Sequence, residues 1–485
     1  MAGTEGSGLR RSAEAGAMFA TTIALVAVVG ASLVRFPFGS SSASEPGAGA
    51  AAVSSATLAG NTASESASPA AAASPSPAPP STHEIEVVTR PEGARVELTP
   101  VDGTAPSITG MSPLIATISE GSVDVRVSLD GHETRAQRVD VIRDRRFKWW
   151  LDPEGALHHK VTQFKTGAAP EQVTFNPQGT QLWVSLQGGP GVEVYRPDTG
   201  ERLAMIGLHG QGAVDVIFTA DGTTAYASQM ETGSIYEIDA GTFEVRRRLR
   251  TDGRWSKAMA LSPDERRLFV SNWSSNDVSE IDLDSGDVMR TIPTVATPRG
   301  LYVTADDVYV AGFAGGDLER IARDSGEMTT LAATGGAMHH IVGDARRQRL
   351  YASDMGSDRI VVHDLGSAKV RELAGTDHKP GSIDLGADGR VLYVANRGAN
   401  NPDGHHLPGP ELGSVLAIDT GTGDALDAMV GGNQTTGLDV SADGRLLAFS
   451  DALDDRVQIY EIPPYADLAG GGGGRAGAHR RDLVK

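Results

Sequence analysis

Six side chains that could bind a ligand recur at two adjacent positions of a segment that is repeated along the chain. They are Glu171, Asp215, Lys257, Arg299, His339 and His340. Cationic and imidazole groups beside carboxylates can hold an anionic or polyol ligand through charge-assisted hydrogen bonds. We therefore predict a ligand-binding site where these positions converge. The alternative is a solvated polar surface without a ligand.

His339 and His340 could also take part in acid–base chemistry, because imidazole changes its charge near neutral pH. Neighbouring residues of a strand point to opposite faces, so only one of the two can face a shared site. The other is expected to pack between neighbouring sheets. The sequence contains no Gly-x-Ser-x-Gly elbow, Walker loop, dinucleotide fingerprint or His-Glu-x-x-His motif. No catalytic residue is predicted, and the balance favours a protein that is not an enzyme.

The loop of residues 397–413 is the only long insertion in the repeat region, and it lies within the sixth repeat, after its second strand. It contains Asp403, His405, His406 and Glu411. These side chains could bind zinc or another divalent ion. Adjacent histidines in a loop rich in Gly and Pro are more often solvated, so neither a metal nor a cofactor is predicted. The chain has no cysteine, which excludes disulfides, thiolate catalysis and Cys-ligated metal centres.

Composition excludes a further class of partner. The 485 residues carry a formal net charge of −19. This charge argues against nucleic acid as a partner, because a duplex backbone must be neutralised by clustered Lys and Arg. The 59 glycines and the 5% aromatic content favour many short strands over long helices.

The repeat is a strand in which an apolar, an aromatic and a small residue follow one another, preceded by a turn. Its copies lie at residues 182–184, 225–227, 268–270, 308–310, 350–352, 392–394 and 447–449. The preceding turns end at Gly179, Gly222, Glu265, Asp307, Arg347, Gly389 and Gly444. A period near 40–45 residues with several strands per unit is typical of β-propellers. We predict an all-β protein with a seven-bladed β-propeller over residues 157–464.

Alignment of the turns predicts which residues face the central channel. One ring consists of Glu171, Val214, Lys257, Arg299, His339, Gly381 and Thr436. The next ring consists of Gln172, Asp215, Ala258, Gly300, His340, Ser382 and Gly437. The seventh copy lacks a fourth strand, and an unpaired strand at residues 159–166 precedes the first copy. We predict that this strand pairs with residues 456–462, because the pairing would remove two exposed sheet edges.

These residues resemble the YVTN-type β-propeller repeat, in which a Pro-x-Gly segment, an apolar strand, Ser-Pro-Asp-Gly and Leu-Tyr-Val follow one another. Propellers of this type resemble lactonase-type relatives, in which His, Arg and Glu at the channel act on a lactone. That resemblance implies Glu171, Arg299 and His339 as the candidates here. An oxidoreductase that depends on a metal or a quinone is disfavoured, because no clear ligand set is present.

Residues 84–152 resemble the PEGA domain, a small β-sandwich common in bacterial envelope proteins. The resemblance rests on Pro91-Glu92-Gly93-Ala94, on Gly-x-Ser-Pro ending at Pro113, and on an alternating strand led by Gly121. His132 departs from the family, which usually carries an aromatic residue there.

The N-terminus predicts export. After a short cytoplasmic segment (residues 1–16) with Arg10 and Arg11, residues 17–35 are apolar and long enough for a transmembrane helix. A cleaved signal peptide is the alternative, since residues 30–32 are small. Residues 36–83 form an Ala/Ser/Pro-rich linker that cannot bury an apolar face and is predicted to be disordered. Residues 465–485 are predicted to be a disordered tail.

The combined prediction is a binding or scaffold protein of the bacterial cell envelope, with a single-pass membrane anchor. Residues 36–485 would be extracytoplasmic, in the periplasm or at the cell surface. The predicted partners are an envelope protein, a peptide or a glycan, with the membrane contacted through the N-terminal segment. A lactonase-like hydrolase acting at the central channel is the alternative.

Overall fold

The computed structural model describes residues 81–103, 105–210, 212–471, 477 and 479–485. The predicted cytoplasmic segment, membrane anchor and nearly all of the linker lie outside these residues. In the described part, no helix is long and apolar enough to span a membrane. The described helices are α1 (Tyr465–Gly470), α2 (Arg480–Leu483) and a single 3-10 turn (Ala452–Asp454).

Seven strands form a small N-terminal β-domain. They are β1 (Thr82–Arg90), β2 (Arg95–Pro100), β3 (Ile108–Met111), β4 (Leu114–Ser119), β5 (Gly121–Ser128), β6 (Arg135–Val141) and β7 (Arg145–Trp150). They make one sheet in the order β4-β1-β7 and another in the order β3-β2-β5-β6. Alternate residues of both sheets, such as Val87 and Val125, are buried in one shared core. This two-layer packing explains the strict alternation in the sequence.

The next strands form seven four-stranded sheets between residues 157 and 464, where only residue 211 is not described. Blade 1 is β9 (Pro170–Phe175), β10 (Leu182–Leu186), β11 (Gly191–Tyr195) and β12 (Arg202–Gly207). Blade 2 is β13 (Ala213–Phe218), β14 (Thr224–Gln229), β15 (Ser234–Asp239) and β16 (Val245–Arg250). Blade 3 is β17 (Ser256–Leu261), β18 (Arg267–Asn272), β19 (Asp277–Asp282) and β20 (Val288–Pro293). Blades 4 and 5 are β21 (Pro298–Val303), β22 (Asp307–Gly312), β23 (Asp317–Ala322) and β24 (Met328–Ala333); and β25 (Met338–Asp344), β26 (Arg349–Asp354), β27 (Arg359–Asp364) and β28 (Lys369–Gly375).

The last two sheets follow the same pattern, except that the fourth strand of blade 7 is β8, which precedes the first repeat. Blade 6 is β29 (Pro380–Leu385), β30 (Val391–Asn396), β31 (Ser414–Asp419) and β32 (Ala425–Val430). Blade 7 is β33 (Thr435–Val440), β34 (Leu446–Asp451), β35 (Arg456–Glu461) and β8 (His159–Lys165). The first strand of each blade contacts the first strand of the next, and β33 contacts β9. The protein is therefore all-β and propeller-like, which confirms the predicted fold at this level.

Blade 7 joins the two ends of the repeat region. β8 pairs antiparallel with β35, and Lys165 lies opposite Arg456 while Phe164 lies opposite Val457. This pairing confirms the prediction for residues 159–166, and it gives the outer side of β35 a hydrogen-bonding partner.

Serine side chains fix the spacing between neighbouring blades. Ser228 Oγ in β14 donates to the carbonyl oxygen of Lys257 in the next blade, at 2.7 Å. Ser271 Oγ in β18 does the same to the carbonyl of Arg299, at 3.0 Å. Ser185 and Ser353 make the equivalent bonds. These hydrogen bonds fix the backbone of the ring that contains Glu171, and they therefore fix the positions from which its side chains extend.

The described C-terminal residues correct the prediction of a disordered tail over 465–485. α1 packs Leu468 into the core beside blades 6 and 7, and residues 479–485 lie against the insertion of blade 6. The glycine-rich composition of residues 470–474 dominated the prediction, but His479 and Leu483 on the far side of it are buried.

Candidate functional site

A second ring of side chains lies beside the predicted one. In each blade, the residue after the second strand donates its N–H to the carbonyl of the residue shortly before the first strand, as Arg397 does to Lys379 at 3.0 Å. The seven residues at this position are Gln187, Met230, Trp273, Phe313, Met355, Arg397 and Ala452. We call this ring, together with the ring that contains Glu171, the channel mouth.

Three predicted residues meet across the channel mouth. The Nη2 of Arg299 in blade 4 donates to Glu171 Oε1 in blade 1 at 2.7 Å. The Nε of Arg299 donates to His339 Nε2 in blade 5 at 3.2 Å. Both members of the Arg299–Glu171 ion pair are largely buried, with side chains 12% and 14% exposed. Arg299 therefore connects three blades through charge-assisted contacts.

The charges at the channel mouth determine the ionisation of Glu171. Burial alone would raise the pKa of this carboxyl, but the charges of Arg299 and Lys257 outweigh it and lower the pKa below its ordinary value. Glu171 is therefore a carboxylate, and it is the one acidic side chain of the two rings that form the channel mouth.

Lys257 lies against an aromatic wall. Its Nζ is 4.6 Å from the centroid of the Trp273 ring, and Trp273 contacts Phe313 at 4.9 Å between ring centroids. Burial and the nearby Arg299 charge lower the pKa of Lys257 to about 7. A cation–π contact stabilises the ammonium form, but it does not replace the hydration that burial removes.

Arg397 brings a third cation to the channel mouth from the start of the blade 6 insertion. Its Nη2 donates to Gln434 Oε1 at 2.5 Å, and Gln434 in turn donates to the carbonyl of His405 within that insertion. The Nε of Arg397 is buried without a hydrogen-bond partner among the described residues. Burial lowers the pKa of Arg397 from its ordinary value.

His339 is a neutral hydrogen-bond donor here and a poor base. Burial and the Arg299 charge lower the pKa of His339 well below its ordinary value. Because Nε2 accepts from Arg299, the proton of the neutral ring resides on Nδ1. The Nδ1 atom is buried and has no partner in the described part of the chain. Such an unsatisfied donor costs about 1–3 kcal/mol, and a bound acceptor would recover that free energy.

Asp215 and His340 make hydrogen bonds to the backbone of the next blade, unlike the predicted residues that meet around Arg299. Asp215 Oδ2 accepts from the Met259 amide of the next blade at 2.9 Å. His340 Nδ1 lies 3.1 Å from the Ile383 amide nitrogen and 3.0 Å from its carbonyl oxygen. Burial raises the pKa of Asp215 to about 6 and lowers that of His340 to about 4. Both side chains join neighbouring blades.

The insertion does not assemble a metal centre. Glu411 pairs with His378 outside the insertion, at 2.7 Å, while His405 and His406 contact each other edge to face. No group of three or more His, Asp or Glu side chains is arranged to hold a metal ion in the described ranges.

Sequence reasoning found Glu171, Lys257, Arg299 and His339, but it missed Trp273, Phe313 and Arg397 as parts of the site. The signal for these three was their position. Each directly follows a second strand that ends with a small or polar residue, as in Ser271-Asn272-Trp273. Aligning the ends of these strands, in addition to the turns before them, would have found the second ring.

The comparisons with known proteins extend the propeller assignment to a family. Residues 212–443 match the YNCE-like beta-propeller family. The chain is also similar to antigen Lp49 of Leptospira interrogans serogroup Icterohaemorrhagiae serovar copenhageni (strain Fiocruz L1-130), with 32% identity over 356 residues. The alignment covers 70% of this chain and 78% of the antigen. The chain belongs to the same family as antigen Lp49. The alignment with antigen Lp49 covers more of the chain than the match to the YNCE-like beta-propeller family does.

Proposed function

We propose that this protein is a binding propeller that holds an anionic group of its ligand at the channel mouth. The observation that carries the proposal is the set of Lys257, Arg299 and Arg397 around a single carboxylate, Glu171. The chain as a whole carries a net charge of −19. Such a local excess of positive charge attracts a carboxylate or phosphate.

The surroundings of the cations support a bound ligand over a solvated surface. His339 Nδ1 and Arg397 Nε are two buried donors that lack a partner among the described residues, and an acceptor on a ligand would satisfy them. Trp273 and Phe313 supply an apolar wall beside the charges. A few convergent polar groups against aromatic side chains are typical of ligand sites.

The wider role that we propose is that of a membrane-anchored, extracytoplasmic protein of the bacterial cell envelope. Residues 17–35 would anchor it, the linker and the PEGA-like domain would display the propeller, and an envelope protein, peptide or glycan would be the partner. The family relative is named as an antigen, and recognition by antibodies supports a location outside the cytoplasm. Protease treatment of cells with a permeabilised outer layer tests the extracytoplasmic location: a protein that is cut only after the cytoplasmic membrane is lysed would contradict it.

Anion binding is expected to weaken as the pH rises through 7, because Lys257 then loses its proton. We expect gluconate to bind roughly tenfold more weakly at pH 8.5 than at pH 6, since one lost charge-assisted contact costs about 1.5 kcal/mol. Sorbitol, the neutral polyol of the same length, should bind more weakly at both values. Isothermal titration calorimetry of the purified full chain measures these affinities.

Two variants test whether the pH dependence arises at Lys257. Lys257→Arg should keep the low-pH affinity and lose the pH dependence, whereas Lys257→Met should bind weakly at both pH values. Arg371→Gln removes an exposed cation from the outer strand of blade 5 and serves as the matched charge control. Equal binding of gluconate by all four proteins would refute the proposed site.

A lactonase-like activity is the second candidate, because the structure brings Glu171, Arg299 and His339 together. The same contacts argue against it. The single lone pair of neutral His339 accepts from Arg299, so the ring has no lone pair available for a proton. We expect no turnover of a lactone panel above buffer, and no change with His339→Ala. Turnover that His339→Ala abolishes would establish the enzyme and contradict the binding-only role.

A further inference from the structure

A short basic segment lies in a groove at the edge of blades 5 and 6. The segment is residues 479–485. The groove is formed by Asp377, Ser414, residues 409–412 of the insertion and His132 of the N-terminal β-domain, whose Nε2 lies 3.2 Å from Asp482 Oδ2. His479 is 2% exposed and Leu483 is 7% exposed. We call this groove the tail groove.

Asp377 anchors the segment by charge. Its two oxygens accept from His479 Nε2 at 2.6 Å and from Arg480 Nε at 2.8 Å, and Ser414 Oγ donates to it at 2.7 Å. Burial would raise the pKa of Asp377, but these three donors together lower it to about 2. The carboxylate is therefore charged and almost enclosed, with a side chain 6% exposed.

The backbone of the segment pairs with the insertion. The Leu412 amide donates to the carbonyl of Leu483 at 2.7 Å, and the Lys485 amide donates to the carbonyl of Pro410 at 3.2 Å. Glu411 and Val484 form an antiparallel bridge. Lys485 Nζ also donates to the carbonyl of Gly409 at 2.6 Å. The segment thus consists of a helical turn, α2, followed by one extended residue, Val484, that pairs with the insertion.

The groove extends beyond the segment. A cavity of about 280 Å³ continues beside Arg480 and Leu483, and Asp358, His378 and Glu411 line its far side. Pockets for selected side chains of a short helical segment, together with backbone hydrogen bonds at its end, are one way in which domains bind short peptides. The run of glycines at residues 470–474 separates the segment from α1, so its contacts are those that a separate peptide would make.

We propose that the tail groove is a recognition site for short basic peptides with His-Arg followed by Leu three residues after the Arg, and that residues 479–485 are its intramolecular occupant. This inference goes beyond the anion site of the proposed function. An attached segment has an effective concentration in the millimolar range. A partner peptide must therefore bind tightly, or be presented many times, to displace it.

The test uses a fluorescent peptide with the sequence of residues 477–485 and the purified full chain. The native chain should bind it weakly, because its own segment fills the groove. A full-chain variant with His479→Ala, Arg480→Ala and Leu483→Ala should bind it at least tenfold more tightly, as measured by fluorescence anisotropy. Adding Asp377→Asn to this variant should return the affinity to the native level. The same peptide with Ala for Arg480 and Leu483 is the control.

Two further measurements separate a failure of the proposal from a loss of stability or an effect at the channel mouth. If the triple variant melts below the native chain, a protease site placed within residues 470–474 allows the native segment to be cut free and exchanged for the fluorescent peptide. Failure to exchange, or unchanged affinity with Asp377→Asn, would overturn the proposal. Lys257→Met should leave peptide binding unchanged, so the tail groove and the channel mouth can fail independently.

Discussion

Replacing Arg299 with methionine is expected to lower the free energy of unfolding by about 3 kcal/mol and to abolish gluconate binding. The cause is the carboxylate of Glu171, which is buried and loses its hydrogen-bonded partner. Breaking a buried ion pair from one side costs about 3–5 kcal/mol, because the remaining charge is uncompensated. We expect the lower end of that range, since the charge of Lys257 still stabilises the carboxylate of Glu171. Urea denaturation followed by tryptophan fluorescence measures the loss.

A double variant separates the charge effect from lost packing. Glu171→Gln together with Arg299→Met removes both members of the ion pair, so the double variant should be more stable than Arg299→Met. It should remain below the native chain, because Lys257 and Arg397 lose the charge of Glu171. Gluconate should still fail to bind, because the bridging guanidinium is absent. If the double variant were as unstable as Arg299→Met, the destabilisation would come from packing, and the role given to the ion pair would be wrong.

Asp451→Ala is expected to destabilise blade 7 by about 3–5 kcal/mol. Asp451 is fully buried, and it accepts from Gly432 N at 2.6 Å, from Gln458 Nε2 at 2.8 Å and from both Nε and Nη2 of Arg456. Its removal leaves the guanidinium of Arg456, 13% exposed, with a longer contact to Asp454 and a cation–π contact to Trp150. Thermal unfolding by differential scanning calorimetry measures the loss.

An exposed ion pair supplies the control for Asp451→Ala. Arg196 and Glu201 lie 3.3 Å apart at the surface, with side chains 49% and 64% exposed. Glu201→Gln should change stability by less than about 1 kcal/mol, because water screens exposed pairs. Equal melting temperatures for Asp451→Ala and Glu201→Gln would show that burial does not govern the strength of these pairs.

The sequence predicted the propeller and its closing strand because the repeat carries one turn and one marked strand per blade. That register also located Glu171, Arg299 and His339, since first strands are equivalent in every blade. Alternation along the strand predicted that only one of His339 and His340 faces the site and that the other packs between neighbouring sheets. Asp215 and His340 lie one residue after the channel-facing position, where alternation turns a side chain towards the next blade.

The rest of the site depends on contacts that the sequence does not mark. Arg397 reaches the channel mouth because of a backbone hydrogen bond to Lys379, which turn spacing does not predict. The tail was predicted as disordered from its glycine content. Its order depends on Asp377, which lies 102 residues before His479, and no local pattern reveals such a contact.

The pairing of β8 with β35 has a consequence for the order of events during synthesis. Lys165 and Asp454 touch although 289 residues separate them. At about 5–20 residues per second on the ribosome, β8 waits roughly 15–60 seconds for its partner to be made. Throughout this time its backbone groups are free to pair with a wrong strand, and the six earlier blades form an open arc. Chaperone demand in the cell should therefore peak just before β35 is made.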